Sequence, residues 1–238
     1  MSGRAIKNIV TRPYVVVNVA MSADGKLSTR ERRQVKISGA QDFNRVDRLK
    51  ASSDAVMVGI GTVLADDPSL TVKGEECRRH RKDRGVDEHP ARIVVDSRAR
   101  IPLEAAILHK GDGLRIVAVS EKADKKKIAS LKKTATVIVA GEKKVDLVHL
   151  MDELGTLGIQ RVMVEGGGEL IAGLIQAGVV DEIYTFIGNL IIGGRDAPTL
   201  ADGNGFILEE EFPRLTLIGT HRIENGILLH WNVEPPAP

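Results

Sequence analysis

The 238-residue sequence predicts an α/β domain with a mostly parallel central sheet, helices on both faces and a C-terminal antiparallel hairpin. Three observations lead there. Short β-branched runs alternate with segments of helical periodicity, the pattern of strand–helix–strand units. Several runs are apolar almost throughout, as strands covered on both faces are. The last two runs have no helical segment between them, so they pair as a hairpin.

In chain order, strands are expected at Tyr14–Ala20, Asp54–Val58, Arg92–Asp96, Leu114–Val119, Thr136–Ala140, Arg161–Glu165, Glu182–Ile187, Leu215–Ile218 and Ile227–Val233. Most are bounded by Gly, Pro, Asp or Asn, which punctuate strands. A first helix follows Ser38, the expected N-cap, with Phe43, Val46 and Leu49 at helical spacing. A weaker, charged helix falls within Lys122–Lys133. Leu147, Leu150, Met151 and Leu154 form one apolar stripe; Leu170, Ile171, Leu174 and Ile175 form another, closed by Gly178. No repeat or low-complexity linker divides the chain, so residues 1–238 read as one domain. Residues 74–90 read as a solvated loop insertion, and residues 1–12 and 234–238 as flexible ends.

Composition narrows the function classes. Lys and Arg number 34 against 32 Asp and Glu, so no global field asks for nucleic acid or an anionic membrane. Aromatics are 3%, too few for stacking platforms on single strands. Cys77 is the only cysteine, which excludes internal disulfides, argues against a cysteine zinc site and suits a reducing cytoplasm. No apolar run approaches the ~20 residues of a membrane span. The N-terminal stretch lacks the apolar centre of a signal peptide. The six histidines show no H-x-x-H or H-E-x-x-H spacing, so no metal site is expected. Neither a G-x-S-x-G elbow, a P-loop nor a zinc-deaminase signature occurs.

Two glycine-rich turns carry the functional signal. In VMVGIGTVLADDPSLT, a buried strand ends at Val58, Gly59 and Gly61 allow close backbone approach, and Thr62 opens a short helix. Alone, this turn is read equally well as a phosphate cradle or as a tight strand-to-helix connection. In RVMVEGGGELIAGLI, Gly166, Gly167 and Gly168 stand between a strand and a helix. Here a diphosphate cradle at a helix N-terminus is the favoured reading. Both turns lie at strand C-terminal ends, where open α/β sheets bind ligands. In RIVVDSRARIP, Asp96 suits a ribose diol, whereas Ser97, Arg98 and Arg100 suit a 2′-phosphate and favour NADP over NAD.

Polar groups beside these turns are the candidates for chemistry. Glu165 ends a buried strand just before the glycine triplet. Asn18 sits inside an apolar strand and must find partners, either within the sheet or on a substrate. Asp24 in SADGK and Asp66–Asp67 before Pro68 read as turn formers on spacing alone.

The ordered segments N-x-A-M-S-A-D-G-K (Asn18–Lys26), I-S-G-x-x-D (Ile37–Asp42), D-A-V-M-V-G-I-G-T-V-L-A-D-D-P-S-L-T-V (Asp54–Val72), R-I-V-V-D-S (Arg92–Ser97), V-E-G-G-G-E-L (Val164–Leu170) and V-D-E-I (Val180–Ile183) resemble the riboflavin-biosynthesis reductase family. The likeness spans about Tyr14 to Gly205. It implies a dihydrofolate-reductase-like fold, a homodimer and NADPH as cofactor, with NADH less favoured. Bacterial members are typically fused to a zinc deaminase and usually carry Lys where Asn18 stands. The chain shows neither feature and so resembles the stand-alone archaeal and fungal enzymes. The implied reaction reduces the ribosyl group of 2,5-diamino-6-(ribosylamino)-4(3H)-pyrimidinone 5′-phosphate to the ribitylamino product. The resemblance implies NADP contacts at Thr62, Asp66, Ser97, Val139, Ala140 and Gly166–Glu169. It implies substrate contacts at Asn18, Ser38, Asp42, Glu165, Leu70 and Lys73. Glu165 is the first choice for proton transfer or ribose orientation and Asp42 the second. The rival readings are a same-fold reductase of the deaminated pyrimidinedione or a pterin, and a non-catalytic nucleotide-binding protein.

Overall fold

A computed structural model describes residues 12–33 and 35–234. Most of the two expected flexible ends, residues 1–11 and 235–238, lies outside the described residues. Their inner edges are tied down. Arg12 donates to both carboxylate oxygens of Asp181 at 2.8 Å, and Glu234 accepts from the Thr216 hydroxyl at 2.7 Å.

The nine expected strands all form. They are β1 (Tyr14–Met21), β2 (Ala55–Gly59), β3 (Ala91–Val95), β4 (Arg115–Val119), β5 (Thr136–Val139), β6 (Arg161–Val164), β7 (Glu182–Ile187), β8 (Leu215–Ile223) and β9 (Gly226–Val233). They make one sheet in the order β5-β4-β3-β2-β6-β1-β7-β9-β8. The pairs from β5 to β7 are parallel; β7–β9 and β9–β8 are antiparallel, as the hairpin reading required. The helices are α1 (Ala40–Ala51), α2 (Ile60–Asp66), α3 (Glu75–Asp83), α4 (Ala106–His109), α5 (Lys125–Leu131), α6 (Leu147–Thr156) and α7 (Gly168–Gln176). Alternation along each strand divides the core in two. Val15, Val17, Val19, Val162 and Val164 face α6 and α7. Val56, Val58 and Met163 face the other side, where Val46 and Leu49 of α1 and Leu131 of α5 cover them.

Four local expectations change. Ser38 does not cap α1: it is buried, and the N-cap is Gly39, which has no side chain to offer. The cap comes from the β8–β9 turn, where Glu224 accepts the Gln41 N–H at 3.2 Å. The inward stripe of α1 is also rotated. Phe43 is 53% exposed, and Asp42, Arg45, Val46, Leu49 and Lys50 turn toward the sheet. Helix α2 starts at Ile60, so Gly61 and Thr62 lie inside its first turn instead of before it. Finally, the expected loop at 74–90 contains α3. Its charged sequence hid a buried anchor. The Arg81 guanidinium donates at 2.8 Å to the carbonyls of Ala51, Ser53 and Asp87, which end α1 and the α3 turn. Asp47 of α1 accepts the Lys73 and Gly74 amides at 2.7 and 2.6 Å, holding the entry to α3.

This anchoring makes a stability prediction. Arg81→Met removes the donor and leaves buried carbonyls unpaired, so unfolding free energy falls by roughly 3 kcal/mol. Urea denaturation reads the change; an unmoved midpoint would show that these carbonyls find water instead.

Candidate active site

The two glycine turns converge into one surface. Strands β2 and β6 are neighbours, and the Gly59 N–H donates to the Gly166 carbonyl at 2.9 Å. The glycines divide by role. A Cβ at Gly59 would touch Leu170, and one at Gly168 would run into Asp202 and the Thr199 carbonyl, so both serve close packing around α7. Gly166 has φ +127°, which an L side chain rarely adopts. A Cβ at Gly61 would meet nothing within 4 Å, and at Gly166 or Gly167 it would meet only the Thr62 hydroxyl, at 3.9 and 3.4 Å. Backbone at Gly166 and Gly167 thus lies against the Thr62 hydroxyl, and Gly61, one residue before it, faces open space. No side chain caps α7, and Glu169 in its first turn is exposed. Such a surface suits a dinucleotide diphosphate.

Further along the sheet edge, the 96–101 turn adds cationic groups. Asp96 is fully buried and accepts the Ile101 N–H at 2.8 Å, so it braces the turn and is not free for a ribose diol. Ser97 Oγ accepts the Val145 N–H at 3.0 Å, leaving its own hydrogen to donate. Arg98 is exposed and has no partner among the described residues; Arg100 is half-exposed, 3.6 Å from Asp96. Val139 is exposed at the end of β5. Ala140 is fully buried with its carbonyl taken by Asp146, so its side chain presents nothing to a ligand. Asp66 is exposed at the end of α2. Asp24 is more than a turn former. It accepts from Ser22, Ile192 and Gly193, and these bonds, Ser22's foremost, lower its carboxyl to about 2.

The chemistry-bearing side chains meet beneath α1. Val17 of β1 pairs with Val164 of β6, so Asn18 and Glu165, one residue on, occupy neighbouring positions on one face. Helix α1 covers that face with residues spaced by three and four, which is one side of a helix. Lys50 lies 3.0 Å from Glu165. Arg45 donates to Asp42 and to the Asn18 oxygen, both at 2.8 Å. Tyr184, in register with Asn18 on β7, has its ring 5.8 Å from the Arg45 guanidinium and stacks on His230 at 4.1 Å.

Lys73 lies beside this cluster. Its ammonium donates to the Ser69 and Thr71 hydroxyls at 2.9 and 2.8 Å. Partial burial, then the positive charges of Lys50 and Lys110, hold it below the ordinary lysine pKa. An ammonium beside two hydroxyls, with other positive charges near, suits a phosphate. Leu70 does not face this space; it is buried in the core with φ +53°. Ser38, buried just before α1, lines a cavity of about 460 Å³ with Lys36, Phe186 and Glu224.

The structure therefore unites Asn18, Asp42 and Glu165, and sets Lys73 near them. It adds Arg45 and Lys50, which the sequence reading missed. Their signal was present: counted from Asp42 instead of Phe43, the three-and-four spacing collects both. No cluster of metal-ligating side chains occurs among the described residues, and no helix there is long and apolar enough to cross a membrane.

Residues 13–229 match the family model described as the RibD C-terminal domain. The chain is 50% identical over 208 residues to the 2,5-diamino-6-ribosylamino-4(3H)-pyrimidinone 5′-phosphate reductase of Archaeoglobus fulgidus, covering 87% of this chain and 94% of that one. It is 41% identical over 223 residues to the protein of the same name from Methanothermobacter thermautotrophicus, covering 94% and 99%. Among solved structures, Acinetobacter baumannii RibD superposes with a TM-score of 0.74 at 26% identity. That match covers 94% of this chain but 58% of the other, so the chain spans a little over half of that RibD. The fold is the dihydrofolate-reductase-like fold of these reductase domains.

Proposed function

The chain belongs to the RibD C-terminal domain family, and from that membership we propose that it reduces 2,5-diamino-6-ribosylamino-4(3H)-pyrimidinone 5′-phosphate to the ribitylamino compound with NADPH. One observation carries the reading furthest. The Lys50–Glu165 pair sits immediately before the Gly166–Gly167 backbone and beside Asn18, so a carboxylate paired with an ammonium adjoins the glycine turns that would hold the dinucleotide.

NADPH, when bound, supplies the hydride that C1′ of the opened ribosylamine accepts. Gly61, Thr62, Gly166, Gly167 and the first turn of α7 would hold its diphosphate, with Gly59 and Gly168 bringing the elements together. Asp66, Val139 and Glu169, all exposed, would add contacts to the cofactor. Ser97, Arg98 and Arg100 offer the hydroxyl and guanidinium donors that a 2′-phosphate wants. On the substrate side, Glu165 orients the ribose and moves the proton that ring opening requires. Lys50 keeps Glu165 in place. Lys73, with Ser69 and Thr71, takes the 5′-phosphate. Asn18 contacts the pyrimidine. Asp42, whose Oδ1 is engaged by Arg45, holds that arginine.

A homodimer accords with the free edge of the sheet. Among the described residues, strand β8 has no partner on its outer side, and it exposes Leu215, Leu217 and Ile218. Long apolar edges are normally covered. A cytoplasmic location accords with the single Cys77, which forms no disulfide.

Three measurements test this. Glu165→Gln should lower kcat for NADPH oxidation with the diaminopyrimidinone phosphate by about a hundredfold, with NADPH affinity unchanged. Unaltered turnover would remove Glu165 from the chemistry, and no turnover by the wild type would remove the activity. Arg98→Ala should weaken NADPH more than NADH; equal losses would mean that Arg98 does not read the 2′-phosphate. Leu217→Lys should convert the dimer into a monomer in analytical ultracentrifugation, and a monomeric wild type would dismiss the edge-strand interface.

A further inference from the structure

One group beneath α1 has no part in the reaction just described. The Arg45 guanidinium spans two nearly sealed partners, Asp42 at 2% and Asn18 at 7% exposure. Its Nε donates to Asp42 Oδ1 and its Nη2 to Asn18 Oδ1, each at 2.8 Å. The Tyr184 ring, stacked on His230, lies 5.8 Å from the guanidinium.

A guanidinium carries only donors, so the Asn18 atom facing it is the oxygen. That settles which way a buried amide points. The Nδ2 hydrogens turn away from Arg45 and make no hydrogen bond within the described residues, yet Nδ2 is not among the sealed, unpartnered atoms, so it keeps a path to a ligand. Asp42 completes the arrangement. A planar guanidinium gripped at Nε cannot swing Nη2 away from Asn18 without breaking a charge-assisted bond as well.

We propose that Arg45 is a specificity-determining positioning residue: anchored by Asp42, it locks the Asn18 amide so that the pyrimidine meets Nδ2–H donors. This rests on the reading of Asn18 as the pyrimidine contact. The chemistry of the ring gives the lock its consequence. In a 2-amino-4(3H)-pyrimidinone the ring hydrogen is on N3, and N1, beside the ribosylamino carbon, keeps a lone pair. Exchanging the 2-amino group for oxygen puts hydrogen on N1 and turns that acceptor into a donor. Donors at Asn18 set against N1 match the first ring and oppose N–H of the second; set against the 2-substituent they would match the dione's oxygen instead, so Nδ2 is assigned to N1. A site built this way discriminates because a mismatch leaves buried polar groups unpaired.

The test uses the full chain with Arg45→Lys, Asn18→Ala and the double variant. Nitrogen-15 spectra follow the Asn18 side-chain amide, identified by its loss in Asn18→Ala. Steady-state kinetics compare the diaminopyrimidinone phosphate with its deaminated dione. In Arg45→Lys the amide signal should move and its hydrogens exchange faster. The preference for the diamino ring should fall about tenfold, the worth of one hydrogen bond, chiefly through KM, while NADPH affinity stays. In the Asn18→Ala background, Arg45→Lys should change the preference no further. An unmoved amide signal, an unmoved preference, or the same fall without Asn18 would each overturn the proposal. If the wild type reduces neither ring, the assigned reaction fails; the lock is then judged by the amide signal and by the binding preference between the two rings.

Discussion

The Gly59 N–H bonds to the Gly166 carbonyl across the seam between β2 and β6. That contact exists because the chain, after running outward through β3, β4 and β5, returns to insert β6 between β2 and β1. Strands that are distant in sequence thereby end side by side. The insertion brings the two glycine turns against each other and puts Glu165 next to Asn18. Without it, each turn is an ordinary strand-to-helix connection and each polar residue an isolated oddity in an apolar strand.

Covering that seam demanded an unusual helix. α1 turns Asp42, Arg45 and Lys50 toward the sheet as well as Val46 and Leu49. Burying charge is expensive unless every group is paired. The pairing is complete here: Arg45 answers Asp42 and the Asn18 oxygen, and Lys50 answers Glu165. Such an interface is a weak source of stability and a strong source of orientation, since only one docking of α1 satisfies all of these groups. The helix is also held from outside. Glu224 caps its N-terminus from the β8–β9 turn, and Arg81 of α3 binds the carbonyls where it ends. Hairpin, helix and site are thus mechanically continuous, and the hairpin that caps α1 also carries the free apolar edge.

Much of the fold was legible because it is local. Apolar runs of β-branched residues marked every strand, and the missing helix before Ile227 marked the hairpin. The failures have a common cause. Phe43 is apolar and reads as the inward residue, yet tertiary pairing buries Asp42 instead. Ser38 carries the hydroxyl of a cap, yet the cap comes from Glu224, far along the chain. The segment around Arg81 looked solvated because charge is usually exposed; nothing local reveals that three carbonyls await that guanidinium.

The sequence by itself determined the strand–helix alternation, the two glycine turns, the motif set that marks the family, and Asn18, Asp42 and Glu165 as residues of interest. The alternation, the turns, Asn18 and Glu165 follow from periodicity and residue chemistry, which neighbours along the chain already express; Asp42 comes from the family resemblance, since spacing alone does not single it out. Only the tertiary structure decided that the turns form one surface, that Lys50 and Arg45 are the partners of Glu165 and Asn18, and which end of the Asn18 amide is free. Those facts depend on strand order and helix rotation, set by burial and charge pairing between segments that share no local signal.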